Sequence, residues 1–99
     1  MNAGASRDDE RYLGLRADLL DVLCRLGHTD PTNVSISHLC RNHFRQDSEE
    51  DLHRTIARMI ADGDPISYLD DERQAVVHIT DSAEARRRMK RIRTELYDL

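Results

Sequence analysis

Apolar residues recur at helical spacing in the first third of the chain. Between about Asp9 and Leu26, Leu15, Leu19, Val22, Leu23 and Leu26 fall at i, i+4, i+7, i+8 and i+11, one face of a helix. Gly27 follows where a left-handed cap is expected, and "HTDPTN" reads as a loop that Pro31 keeps from continuing the helix. Val34 and Ile36 alternate with serine, which suits a very short strand. Ser37 is placed to cap a short helix over His38 to His43, with Leu39 and Phe44 turned inward. After the turn "RQD", a third helix is predicted from Ser48 to Asp62. Its buried stripe is Leu52, Ile56, Met59 and Ile60, and Gly63 ends it. The period then switches to alternation. "PISYL" and "QAVVHI" are two strand-like runs joined by the charged turn "DDER", a hairpin, and Thr80 or Asp81 opens a last helix.

The predicted order is helix, short strand, helix, turn, helix, hairpin, helix, so the fold class is mainly α with a small β-hairpin. Residues 1–8, small and polar, read as an unstructured lead, residues 9–80 as one domain, and residues 81–99 as an added basic amphipathic helix. The stretch "VSISHLCRNHFRQDSEEDLHRTIARMIADGDPI" and the returning strand "VVHIT" resemble the core of winged helix-turn-helix domains. The shared features are a serine-capped short helix, a capped third helix, and "ADGDPI" as the exit into the wing. With the extra C-terminal helix, the chain is similar to small dimeric regulators of the PadR-like and ArsR-like kind, including those of haloarchaea.

That resemblance implies that the third helix enters the major groove of DNA and that the wing touches the adjacent backbone. On the third helix the residues opposite the apolar stripe are Glu50, Arg54, Ala57, Arg58 and Ala61. Arg54 and Arg58 are one turn apart, and the alanines let the backbone approach a duplex. An arginine that grips guanine with two bonds contributes about 1–3 kcal/mol of base discrimination. Ser37 and Arg41 on the second helix, Arg73 near the wing tip, and Arg87, Lys90 and Arg91 on the last helix complete the expected DNA-binding set. The plainer reading is a solvated helix face, because Glu50 stands four residues before Arg54, a spacing that supports a helix without any ligand.

Charge complicates this picture. The chain has 99 residues and a net charge of −4, and Ser48-Glu49-Glu50-Asp51 places three carboxylates at the start of the proposed recognition helix. Carboxylates favour a helix N-terminus, and Asp47 with Glu50 fits a capping-box spacing, so these acids can be helix-starting devices. They equally suit a helix that meets a protein. Positive charge is concentrated in "RRRMKRIR", residues 86–93; its six cations on a chain of −4 leave the rest at −10. Such segregation suits a polyanionic partner, or internal pairing with the acidic body. Lys90 is the only lysine, and Asp outnumbers Glu by thirteen to six. This composition fits either a GC-rich genome or the acidic surface of a halophilic protein.

Ala85, Met89, Ile92, Leu96 and Leu99 are spaced 4, 3, 4, 3, the a/d pattern of a coiled-coil seam. The seam is the expected homodimer interface, unless it packs only on the first helix of its own chain. Two cysteines make no disulfide framework, and no stretch approaches the roughly 18 apolar residues of a membrane span, so a cytoplasmic location is expected. Cys24-x3-His28 and Cys40-x2-His43, with His38 and His53 nearby in sequence, are residue types a zinc ion uses, but not at finger spacing. Cysteine among leucines is more simply a small apolar filler. Neither metal nor cofactor is expected, no effector pocket is predictable, and no phosphate-binding glycine loop or nucleophile motif points to an enzyme. Two functions therefore compete: a homodimeric DNA-binding transcriptional regulator, and a winged-helix protein-interaction module that uses its acidic third helix.

Overall fold

The computed structural model describes residues 6–29, 34–70 and 75–97. Its elements run α1 (Ser6–Thr29), β1 (Val34–Ser35), α2 (Ile36–Asn42), α3 (Glu49–Ala61), β2 (Ile66–Asp70), β3 (Ala75–Ile79) and α4 (Ser82–Tyr97). The protein is mainly helical with a small three-stranded antiparallel sheet of order β1-β3-β2. Val77 is the hinge of that sheet. It pairs with Val34 on one side and Tyr68 on the other, and it is fully buried.

α1 is the spine. Leu19, Leu20 and Leu23 are sealed between α4, β3 and α3, and they share one core with Ile36, Leu39, Phe44, Leu52, Ile56, Met59, Ala85 and Ile92. The helix is longer than the periodicity predicts. Residues 6–8 are helical rather than part of an unstructured lead, and the helix runs through Gly27 to Thr29 rather than capping there. A glycine inside a helix costs about 1 kcal/mol relative to alanine. α4 packs along α1, down to a long contact of 3.9 Å from the Cys24 thiol to the carbonyl of Ser82.

Two local expectations shift by a residue or two. The cap of α2 is Ser35, not Ser37: its Oγ accepts from the amide of His38 at 3.0 Å while its own backbone is still extended. On α3 the buried stripe is Leu52, Thr55, Ile56 and Met59, and Ile60 is 43% exposed. Thr55 can take the inward place because its hydroxyl donates to the carbonyl of Asp51 at 2.8 Å and so carries no unmet hydrogen bond. Leu39 and Phe44 are buried as their spacing predicts.

The end of α3 has a specific geometry. Gly63, at φ +83°, occupies the left-handed position; its amide donates to the carbonyl of Ile60, and that of Asp64 to the carbonyl of Met59. This is a Schellman closure, which satisfies the last carbonyls of the helix and reverses the chain. The reversal aims Asp64 into the protein, where its side chain is entirely buried.

Candidate nucleic-acid interface

Ser48 caps α3, its Oγ accepting from the amide of Asp51 at 3.1 Å, so Asp47 is not the capping residue. Asp47 instead reaches Arg11 of α1 at 3.5 Å, and its carbonyl accepts from the Cys40 thiol at 3.0 Å. The three acids that open α3 each have a partner. Glu49 accepts from the hydroxyl of Ser37 at 3.0 Å, Glu50 holds Arg54 at 2.6 Å, and Asp51 turns back to Arg11 at 2.8 Å. Besides favouring the positive end of the helix dipole, Glu49 ties α3 to α2 and Asp51 ties it to α1.

Arg54 and Arg58 are exposed on α3, with Ala57 and Ala61 exposed on the same side. Neither guanidinium is bare. Arg54 sits between Glu50 and Asp51, the latter at 3.9 Å, while Arg58 contacts Asp9 at 3.3 Å and lies over the ring of Tyr12, 3.8 Å from its centroid. That stacking fixes the direction of the Arg58 fork. On the other flank of α3, His53 Nδ1 makes a short contact with the Tyr68 hydroxyl, joining the helix to β2.

The remaining predicted contacts are dispersed. Ser37 and Arg41 are exposed on α2, with Arg41 Nε donating to the Ser37 carbonyl at 3.4 Å. Arg73 lies outside the described residues. On α4, Arg87 pairs with Glu84 at 3.2 Å, whereas Lys90 and Arg91 are exposed and make no ion pair among the described residues. Arg86 is exposed, while two members of the run turn toward the body: Arg88 reaches Asp64 at 3.0 Å, and Arg93 bridges Asp18 at 3.0 Å and Asp21 at 3.3 Å on α1. Two of the six cations in that run, Arg88 and Arg93, therefore fasten α4 to the rest of its own chain by ion pairs.

The seam on α4 also faces inward. Ala85 and Ile92 are enclosed in the chain's own core, and Met89 and Leu96 pack partly against it; Leu99 lies outside the described residues. Cys24 is buried, and burial raises its thiol pKa, which keeps it protonated and unreactive. Among the described residues, no group of three or more His, Cys, Asp or Glu could hold a metal ion, and no helix is long and apolar enough to cross a membrane.

Sequence reasoning missed the network behind α3. Asp64 accepts from Arg16 of α1 through both Nε (2.7 Å) and Nη2 (2.6 Å), and from Arg88 of α4. The hydrogen bond to Asp64 raises the Arg16 pKa still further, so that guanidinium is permanently charged. Beside it the Tyr12 hydroxyl donates to Asp62 Oδ2 at 2.5 Å. Two guanidiniums, one from α1 and one from α4, thus meet on one buried carboxylate at the end of α3. The only hint in the sequence is the spacing Asp-Gly-Asp after a helix, and such a turn is usually solvated.

Burial and the bond to Asp62 push the Tyr12 pKa well above its ordinary value of 10.0. A group raised in the folded state keeps its stabilising effect below its unfolded pKa and loses it as pH rises toward the folded value. Stability should hold to about pH 10 and then fall by up to roughly 1.4 kcal/mol per pH unit from this group. Tyrosinate absorbance followed with circular dichroism checks it: one phenol should ionise only as the helices melt.

Comparison with known proteins finds no matching family model, no similar curated protein and no matching solved structure.

Proposed function

We propose that this chain is a winged helix-turn-helix domain that binds double-stranded DNA as a transcriptional regulator, with α3 in the major groove and the β2–β3 hairpin on the adjacent backbone. The observation that carries the reading is the arrangement of α2 and α3 on the β1-β3-β2 sheet, which leaves Arg54, Ala57, Arg58 and Ala61 together on the outer side of α3. Two arginines one turn apart with small residues between them suit base edges, because the fork reaches guanine while the backbone comes close. Lys90 and Arg91 add exposed positive charge on α4.

The homodimer belongs to the same reading, because two copies would present two such helices to a palindromic site. Its support is what α4 leaves uncovered, above all Tyr97 at 80% exposure, rather than Ala85 and Ile92, which the core already takes up. One observation favours a protein partner instead: Ile60 on α3 and Leu69 on β2 are exposed apolar residues, 43% and 60%.

Selection of bound duplexes from a random pool, with the mass of the free protein measured by sedimentation, separates these readings. A recovered palindromic sequence and a dimer mass are expected. Recovery of no sequence above background removes the DNA function, and a monomer mass removes the pair.

A further inference from the structure

Three guanidiniums from two helices converge on one groove. Arg11 and Tyr12 of α1 and Asp51, Arg54, Thr55 and Arg58 of α3 line an open depression of about 270 Å³ between the helices. In the free protein these guanidiniums are held by the chain's own carboxylates: Arg11 by Asp47 and Asp51, Arg54 by Glu50 and Asp51, Arg58 by Asp9. Four carboxylates thus answer three guanidiniums, and each of these ion pairs is at least partly exposed to water.

We propose that this groove is a phosphate seat centred on Arg11: a phosphodiester of the nucleic-acid backbone replaces Asp47 and Asp51 on that guanidinium, while Glu50 and Asp9 release Arg54 and Arg58 to the base edges. The inference rests on the DNA-binding reading and adds Arg11 and the exchange to it. A guanidinium fork fits carboxylate and phosphate in the same bidentate geometry, so the side chains need little rearrangement. Exposed ion pairs contribute only about 0–1 kcal/mol each, so the resident acids are replaceable. Tyr12 keeps Arg58 in place when Asp9 leaves, because the stacked ring does not depend on the carboxylate. Asp9 and Glu50 are therefore internal competitors of the duplex.

Exchange has a thermodynamic signature. Binding to phosphate releases cations from the duplex, which makes affinity fall steeply with salt. Salt also weakens the internal pairs that must first be broken, and this opposes the fall. The wild-type slope is therefore shallower than its phosphate contacts alone would give, and removing the competitors steepens it.

The test measures binding of a short labelled duplex across a salt series for the wild type, for Asp9→Asn with Glu50→Gln, and for Arg11→Ala. All three positions are more than half exposed, and circular dichroism verifies that each variant is folded. The neutralised variant is expected to bind between about twofold and thirtyfold more tightly at low salt, the equivalent of two exposed pairs, with a steeper slope. Arg11→Ala is expected to weaken every duplex alike and leave sequence preference unchanged. If the wild type binds duplex and both variants match it in affinity and slope, the seat is wrong and the DNA-binding reading stands. If neither the wild type nor the neutralised variant binds any duplex, both fall. If inorganic pyrophosphate raises the melting midpoint of the wild type but not of Arg11→Ala while no duplex binds, the occupant is a small phosphate, which overturns the nucleic-acid assignment.

Discussion

Replacing Asp64 with asparagine is expected to lower the unfolding free energy by about 3 kcal/mol, among the largest losses available from one atom's change in this chain. Removing one partner of a buried ion pair typically costs about 3–5 kcal/mol, because the other charge stays buried without compensation. Here the low end applies, since Arg88 keeps about a third of its side chain exposed while Arg16 keeps only 15%. Asparagine fills the same volume but offers one carbonyl oxygen where Arg16 and Arg88 make three hydrogen bonds. Denaturant titration followed by circular dichroism measures the loss. A change below about 1 kcal/mol, the range of an exposed pair, would show that the network is solvated rather than buried. Arg16→Met should cost more than Arg88→Met, because Arg16 contributes two of the three bonds and is the more enclosed. Since Asp64 joins the end of α3 to α1 and α4, the same variant should loosen the orientation of α3.

The second large effect concerns binding. Arg54→Ala combined with Arg58→Ala is expected to abolish sequence-specific recognition, at about 1–3 kcal/mol per arginine, or roughly thirtyfold to more than ten-thousandfold together. Both side chains are more than half exposed, and their ion pairs lie at the surface, so the helix and the fold should survive. Loss of Arg58 does uncover the face of the Tyr12 ring, but the hydroxyl of Tyr12 remains tied to Asp62. Fluorescence anisotropy with the selected duplex and a scrambled one separates specific from general binding. If the double variant keeps full affinity for the selected duplex at every salt concentration, α3 does not read the groove. A partner protein docking near Ile60 and Leu69 then becomes the better account of the same surface.

The positions legible in the sequence are those decided within a few residues. The start of α3 near Ser48, Gly63 as its end, Leu39 and Phe44 as buried positions, and the two strands Ile66–Asp70 and Ala75–Ile79 all follow from local backbone chemistry and period. The structure differs from the sequence pattern by one or two residues where two local solutions are nearly equal. Ser35 and Ser37 both precede helical residues, and only the pairing of Ser35 with Val76 in β1 leaves Ser35 extended at the cap. Thr55 took the inward place of Ile60 because a hydroxyl bonded to its own helix can be buried, something an apolar periodicity does not register.

The candidate site was legible in its residue types but not in its pairings. Arg54 and Arg58 were identifiable from their spacing, and Glu50 as the neighbour of Arg54. Arg11, Asp9 and Tyr12 carry no motif and come from more than 35 residues away, as the separations of 36, 40 and 49 between paired positions show. Likewise the basic run on α4 showed a charge excess, yet nothing local indicated that Arg88 and Arg93 would turn toward Asp64 and Asp18.

By itself, then, the sequence determined the kinds and order of the elements, because helix period, strand alternation, caps and glycine turns act over distances shorter than one element. It also determined that α3 would carry arginines and alanines on its outer side. Tertiary structure alone decided which charges meet, that the α4 seam closes on α1, and that a buried Asp64 holds three segments together. The reason is physical: an ion pair or a buried carboxylate selects its partner by proximity in space, and proximity between distant segments exists only after the core of α1, α3, β3 and α4 has formed.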